Sequence, residues 1–151
     1  MGKASGFTVP SIADRTYTGK AIKPSPTIRF NGKKLVKGTD YTLSYSNNKK
    51  VGKATIIITG KGKYKGTRKV TFRIIGKADK FKVASISKKK YTGKEIKPKP
   101  TVKFAGKKLT YGKDYTLSYS NNKKVGTATI TIKGKGYYKG TKKVKFTIVK
   151  K

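Results

Sequence analysis

Apolar and polar residues alternate with a period of two in several short segments of the chain. In the segment 69–75, Val70, Phe72 and Ile74 alternate with polar residues, and the segment 40–46 shows the same alternation. A period of two is typical of half-buried strands, and no segment carries an apolar stripe with the 3.6-residue period of a helix. The pattern therefore predicts an all-β chain.

Five strands are predicted in the first half of the chain, separated by the turns YTGK, NGK and NNKKVG. An Asn-Gly pair such as Asn31-Gly32 is a strong hairpin signal. Within ATIIITG, the residues Ala54, Ile56 and Ile58 are expected to face the core. The predicted strands are GFTVPSI, PTIRF, DYTLSYS, ATIIITG and RKVTFRII.

The second half of the chain repeats the first. The segment DYTLSYSNNKKVG occurs at 40–52 and again, unchanged, at 114–126, which is an offset of 74 residues. The two halves align at this offset without insertion or deletion. An internal repeat of this length indicates tandem copies of one structural unit. We therefore predict two domains, residues 1–76 and 77–151, joined by a short connector around Gly76 to Lys80.

The second copy supports the predicted strand orientation. Ile57 and Thr59, which are expected to face outward, are replaced by Thr131 and Lys133, whereas the inward isoleucines recur unchanged. A polar replacement is tolerated where a side chain meets solvent and is costly in a core. The substitutions thus fall on the predicted outer face.

The chain carries 40 lysines and arginines against five acidic residues, a formal charge of +35, with 34% hydrophobic residues. This composition also suits a disordered polycation, but the strand periodicity favours a folded chain. The chain has no cysteine or histidine, which removes disulfides, thiolate metal sites and the commonest general base. We predict a non-enzymatic protein with no metal site and no cofactor, and no apolar run is long enough to span a bilayer.

Lysine clusters fall mainly in the predicted turns and at outward strand positions, which predicts polyanion binding. A solvated lysine surface that serves only solubility is the alternative. Three tyrosines in the Gly-Lys loops, Tyr64, Tyr137 and Tyr138, could stack on a ligand or pack over the end of the unit. The candidate polyanion-binding residues are Lys33, Lys34, Lys49, Lys50, Lys61, Lys63, Lys65, Arg68, Lys69, Lys88, Lys89, Lys90, Lys107, Lys108, Lys123, Lys124, Lys135, Lys139, Lys142 and Lys143.

Several motifs in fixed order, YTGK, GTDYTLSYSNN and GKGKYKGT, occur in the first copy, and the second copy has counterparts of each. With them the chain resembles the tandem repeats of Gram-positive bacterial surface proteins. The resemblance implies two tandem small immunoglobulin-like β-sandwich domains on the outside of a cell, in a stalk or an adhesive segment. Repeats of that family commonly carry mixed charges, and this pair is overwhelmingly cationic.

Resemblance and charge together predict an extracellular protein, at the cell surface or in the cell wall, that binds polyanions electrostatically as a monomer. The expected partners are wall teichoic acid, acidic polysaccharides or glycosaminoglycans, DNA and anionic membrane surfaces. A structural stalk or spacer is one alternative. A supercharged nucleic-acid-binding protein is another.

Asp40 and Asp114 belong to the repeated segment and have two interpretations. Each carboxylate could hydrogen-bond the turn that precedes it, which is a common role of aspartate in turns. Each could instead promote a Lys to Asn isopeptide crosslink, as in some Gram-positive surface domains. That reaction would require a buried lysine beside the carboxylate.

Overall fold

The computed structural model describes residues 2–150, and the chain divides into two compact units between Ile75 and Gly76. Both units consist of β-strands and turns, so the all-β prediction is confirmed. Within the described residues, helical structure is confined to two single 3₁₀ turns, Ala4–Gly6 and Ala78–Lys80. No helix in this part of the chain is long and apolar enough to cross a membrane.

The strands of the first half have one antiparallel sheet at their centre, in which β6 (Gly52–Gly60) lies between β5 (Tyr41–Ser46) and β8 (Thr67–Lys77). A further strand, β2, pairs in parallel with β8. These strands are β1 (Gly2–Lys3), β2 (Arg15–Thr16), β3 (Arg29–Phe30), β4 (Lys33–Lys34), β5 (Tyr41–Ser46), β6 (Gly52–Gly60), β7 (Tyr64–Lys65) and β8 (Thr67–Lys77).

One face of the central sheet covers the core. Ala54, Ile56 and Ile58 of β6 are fully buried, and Ala54 lies opposite Phe72 of β8, which is also buried. Successive side chains of a strand point to opposite faces, so the outward neighbours remain accessible to solvent. The predicted inward face of ATIIITG is confirmed.

The hairpin β3–β4 completes the core of the first unit. Its turn consists of Asn31 and Gly32, both with positive φ, at 49° and 82°. Asn and Gly tolerate this left-handed conformation, so the predicted hairpin is confirmed. Ile28 before the hairpin and Leu35 after it lie in the same buried cluster as the central sheet. The unit is therefore β-sandwich-like.

The second unit repeats this arrangement. A sheet of order β10–β16–β14–β13 corresponds to the central sheet, and β9, β11 and β12 form a three-stranded sheet. The remaining strands of the chain are β9 (Lys82–Val83), β10 (Lys89–Lys90), β11 (Val102–Phe104), β12 (Lys107–Lys108), β13 (Tyr115–Ser120), β14 (Gly126–Gly134), β15 (Tyr138–Lys139) and β16 (Thr141–Val149).

Two details of the sequence-based prediction are corrected. GFTVPSI does not form a strand, since within this segment only Thr8 makes a ladder contact, an isolated bridge to Arg29. Pro10 lacks the N–H that a longer ladder would need. The segment 76–80 is not a free connector, because Gly76 pairs with Tyr138 in the second unit and Ala78 is buried.

Candidate functional site

The predicted polyanion-binding side chains lie on the outside of both units. All are exposed except Arg68, Lys89 and Lys142, which are half-buried. They occupy many turns and strands, so the structure does not collect them into one cleft. Repulsion among so many cations opposes folding, and five carboxylates cannot neutralise forty positive charges.

Three lysines of the second unit lie side by side across the three-stranded sheet. Lys103 of β11 pairs with Lys82 of β9 on one side and with Lys108 of β12 on the other. Directly paired residues share a face, and all three side chains are exposed. We call Lys82, Lys103 and Lys108 the cationic ladder. At the corresponding positions of the first unit, Arg29 pairs with Lys34 and bridges to Thr8.

Of the ladder residues, Lys108 is among the lysines predicted from the sequence to bind polyanions, whereas Lys82 and Lys103 are not. The available signal was weak, since both lysines occupy outward positions of short alternating segments. Strand pairing sets their alignment, and pairing register is not readable from one strand alone. The tertiary structure therefore decides that the three charges are neighbours.

Four of the five carboxylates have partners outside the ladder. Asp14 pairs with Arg73 at 4.0 Å, and Glu95 pairs with Lys97 at 3.5 Å. Asp40 accepts a hydrogen bond from a backbone N–H at 2.8 Å, and Asp114 does the same at the matching place. Neither of the two ion pairs involves a ladder lysine.

The interpretation of Asp40 and Asp114 as turn-stabilising residues is confirmed. The N–H donors are those of Val36 and Thr110, four residues earlier in each turn. No lysine among residues 2–150 is buried. The crosslinking alternative therefore lacks the buried lysine that it requires within the described part of the chain.

Two of the three loop tyrosines are core residues. Tyr64 is 9% exposed and packs edge-to-face on Phe7 and Phe30, with ring centroids 5.6 and 5.3 Å away. Tyr138 is 4% exposed and makes the equivalent contacts, so the possible stacking role is wrong for both residues. Burial, and secondarily the charge of Asp114, raises the pKa of Tyr138 above its ordinary value.

Backbone glycine makes this burial possible. A Cβ on Gly76 would lie 2.7 Å from Cδ1 of Tyr138, which is closer than carbon atoms approach. Gly2 has the same relation to Tyr64 in the first unit. Tyr137, by contrast, is 36% exposed and remains accessible to a ligand.

A groove lies beside the outer strand of the central sheet in each unit, at equivalent positions. Its wall in the first unit is the segment 22–24, which is tied to the end of β5. The hydroxyl of Tyr45 donates to the carbonyl of Pro24 at 2.8 Å, and the amide of Asn48 donates to the carbonyl of Ile22 at 3.0 Å. The N–H of Ile22 donates to the carbonyl of Asn48 at 2.8 Å.

The same three bonds recur in the second unit. Tyr119 donates to the carbonyl of Pro98 at 2.7 Å, and Asn122 donates to the carbonyl of Ile96 at 3.1 Å. Burial raises the pKa of both Tyr45 and Tyr119 above its ordinary value, which favours the protonated hydroxyl that donates each bond. The bonds give a structural role to the Tyr and Asn side chains of the repeated segment.

The two grooves differ in what lines them. The first-unit groove, about 500 Å³, is lined by Ala21, Lys23, Lys37, Leu43, Ser44, Tyr45 and Asn48. The second-unit groove, about 400 Å³, retains the leucine and serine as Leu117 and Ser118. Lys97, Tyr119 and Asn122 likewise match residues of the first groove. The differences are Glu95 in place of Ala21, Tyr111 in place of Lys37, and the additional lining residue Lys99.

The chain matches no protein-family model and no curated protein.

Proposed function

We propose that the chain is a pair of tandem immunoglobulin-like repeats from a Gram-positive surface protein, and that it binds acidic polymers electrostatically without catalysing a reaction. The proposed partners are wall teichoic acid, acidic polysaccharides, DNA and anionic membrane surfaces. The repeated surface-protein motifs and the β-sandwich-like units support the family proposal. The charge distribution supports the binding proposal.

The cationic ladder is the observation that carries the binding proposal. Neighbouring strands lie about 4.8 Å apart, so three exposed lysines in register project from adjacent backbone positions on one face of the sheet. Like charges directly opposite each other destabilise a sheet. A polyanion laid across the strands would remove this repulsion and release its own counterions. Binding thereby converts an unfavourable feature of the free protein into a favourable one.

The proposed binding is general rather than sequence-specific. Lysine is a hydrated point charge, whereas planar recognition of phosphates and guanine edges favours arginine. Arginine accounts for only Arg15, Arg29, Arg68 and Arg73. Affinity should therefore depend on the charge density of the polymer and on salt.

The test is a charge reversal at the centre of the ladder. Lys103→Glu should weaken binding to heparin, teichoic acid and duplex DNA. It should also reduce the magnitude of the negative slope of log affinity against log salt by at least about one. The same variant should raise the melting temperature, because the introduced carboxylate would lie between two lysines. Binding is measured between 50 and 300 mM salt by isothermal titration calorimetry.

Lys123→Glu is the matched control, since it makes the same change of charge in a turn away from the ladder. A smaller loss of affinity than for Lys103→Glu supports the ladder. Equal losses would show that only total charge matters and would remove the ladder from the proposal. No measurable binding of the wild-type protein at 150 mM salt would contradict polyanion binding and favour a stalk, whereas binding confined to DNA would favour a nucleic-acid-binding protein.

A further inference from the structure

We propose that the second-unit groove is a subsite for one anionic sugar residue of an acidic polysaccharide. Tyr111 would contact the sugar ring, and Lys99 would contact its carboxylate or sulfate, since Lys97 is already paired with Glu95 at 3.5 Å. This inference rests on the proposed function for the class of polymer. It adds a defined place where the polymer is recognised by more than charge.

The scaffold of the groove is held before any ligand arrives. The bonds from Tyr119 to Pro98 and from Asn122 to Ile96 tie the groove wall to β13. The N–H of Ile96 also donates to the carbonyl of Asn122 at 2.8 Å. A groove built in advance loses little conformational entropy on binding.

Tyr111 is a large apolar ring on a lysine-rich surface. It is 49% exposed, and an edge-to-face contact with Tyr115 orients it, with centroids 5.8 Å apart and an interplanar angle of 71°. The ammonium of Lys99 lies 4.7 Å from the centroid of the Tyr111 ring. An anion bound by Lys99 would thus lie beside an aromatic ring.

The first unit shows that the fold does not need this ring. Lys37 occupies the position of Tyr111, and each residue makes the same bridge to the strand that follows, Lys37 to Tyr41 and Tyr111 to Tyr115. Ser25 stands where the second unit has Lys99. The Tyr111 ring and the Lys99 ammonium are therefore additions to a groove that forms without them.

The lining suits a sugar better than a nucleic-acid base. The C–H groups of a sugar ring match the negative face of an aromatic ring, and Leu117 adds a small apolar contact. The hydroxyl of Ser118 can both donate to and accept from sugar hydroxyls. A volume of about 400 Å³ lies at the lower end of the usual range for small-ligand sites and has room for one sugar residue.

A pair of exchanges between the units tests the subsite. Tyr111→Lys gives the second groove the residue of the first, and Lys37→Tyr does the reverse. The probes are a hexamer of galacturonic acid and single-stranded dT7, which carry six negative charges each. Affinities are measured at 150 mM salt by calorimetry, with the melting temperature of each variant as a check on folding.

The subsite proposal and simple electrostatics predict opposite changes in uronate affinity for these variants. Tyr111→Lys adds a positive charge, so charge alone would leave uronate binding equal or tighter, whereas we expect it to weaken about tenfold. Lys37→Tyr removes a charge, and we expect tighter uronate binding. Binding of dT7 should follow charge alone in both variants, and uronate should shift the NMR amide signals of Ser118 and Asn122 in the wild-type protein.

Three results would overturn the subsite. Uronate binding by Tyr111→Lys that equals or exceeds wild-type binding would remove the ring from recognition while leaving polyanion binding intact. A parallel loss of dT7 binding would show a general aromatic platform rather than a sugar site. If the wild-type protein binds neither probe nor longer polyanions, the proposed function itself fails, which is a different outcome from the first.

Discussion

The two units have matching core residues and differ on the surface. Each buried residue of the first-unit cluster has a buried counterpart in the second unit, and the single change of residue type among them is Ile28 to Val102. On the surface, by contrast, Lys37 and Lys63 of the first unit are replaced by Tyr111 and Tyr137, which are both exposed.

The comparison separates the positions that the fold requires from those that it does not. Core side chains are constrained by close packing, so a change of even one methylene group affects stability. Exposed strand and turn positions usually change stability little when substituted. The surface differences between the units are therefore the better guide to what each unit binds, and the core is the better guide to how each unit folds.

The largest expected effect comes from truncating matched core residues. Ile56→Ala and Ile130→Ala should each destabilise the affected unit by about 3 kcal/mol, because each leaves a cavity in a fully buried site. If the cores are equivalent, the two losses should agree to within about 1 kcal/mol. Urea denaturation followed by NMR signals of each unit measures both losses, and a difference clearly larger than about 1 kcal/mol would contradict the equivalence.

A smaller effect is expected at the hairpin turn, where the units differ. Ala105 has φ 51° at the position where Asn31 has φ 49°. Left-handed φ costs a residue with a plain Cβ about 1 kcal/mol, and asparagine less. Ala105→Asn should therefore raise the stability of the second unit by roughly 0.5–1 kcal/mol, and Asn31→Ala should lower that of the first by a similar amount.

Thermal denaturation of both hairpin variants checks the prediction. Ala105→Gly serves as a control, since glycine accepts positive φ without a side-chain contribution. Opposite shifts for the two exchanges would confirm that the turn residue alone distinguishes these hairpins. A decrease in stability for Ala105→Asn would show that the alanine makes a contact worth more than the backbone strain.

An effect of similar size is expected at Tyr45 and Tyr119, whose hydroxyls bond the groove wall, and this effect depends on pH. Burial raises the folded-state pKa of Tyr119, so its contribution to stability is fully present below the unfolded pKa of about 10 and is lost as the pH rises through the folded pKa. Tyr119→Phe removes the bond to Pro98 and should cost about 1 kcal/mol at pH 8. This difference between variant and wild type should shrink toward pH 11.

Any other effect of pH on stability is common to wild type and variant, so their difference isolates the tyrosine. Tyr45→Phe in the first unit provides the matched measurement, since Tyr45 makes the same bond to Pro24. Unfolding free energies from urea titrations at pH 8 and 11 are compared. A difference that stays constant with pH would show that the hydroxyl does not carry the effect.

Local sequence features predicted the elements that local chemistry controls. The alternation in β6 identified Ala54, Ile56 and Ile58 as inward, and the Asn31-Gly32 pair identified a hairpin. The prediction failed at GFTVPSI, where alternation is present but few ladder partners are. Alternation records which side chains face the core, and it does not show that the backbone pairs with a neighbour.

The candidate sites depend on contacts between distant parts of the chain. The cationic ladder requires the register of three strands, and the groove requires bonds across 21 and 26 residues, from Tyr119 to Pro98 and from Asn122 to Ile96. The sequence left open whether Tyr138 stacks on a ligand or packs over the end of the unit, and in the structure its ring lies in the core. The ladder, the groove and the burial of Tyr138 therefore cannot be predicted from any one segment of the sequence.

Three properties follow from the amino-acid sequence alone: the duplication of the chain, the all-β character of its units and its cationic surface. Repetition, period-two alternation and charge are properties of neighbouring residues, and the physics of strands and solvation acts on them locally. Only the tertiary structure shows which lysines are neighbours across a sheet and which of the loop tyrosines, Tyr64 and Tyr138, are buried. The groove beside Tyr111 likewise depends on tertiary contacts, since its wall is held by hydrogen bonds from Tyr119 and Asn122. Strand register and side-chain packing bring together residues that are far apart in the sequence.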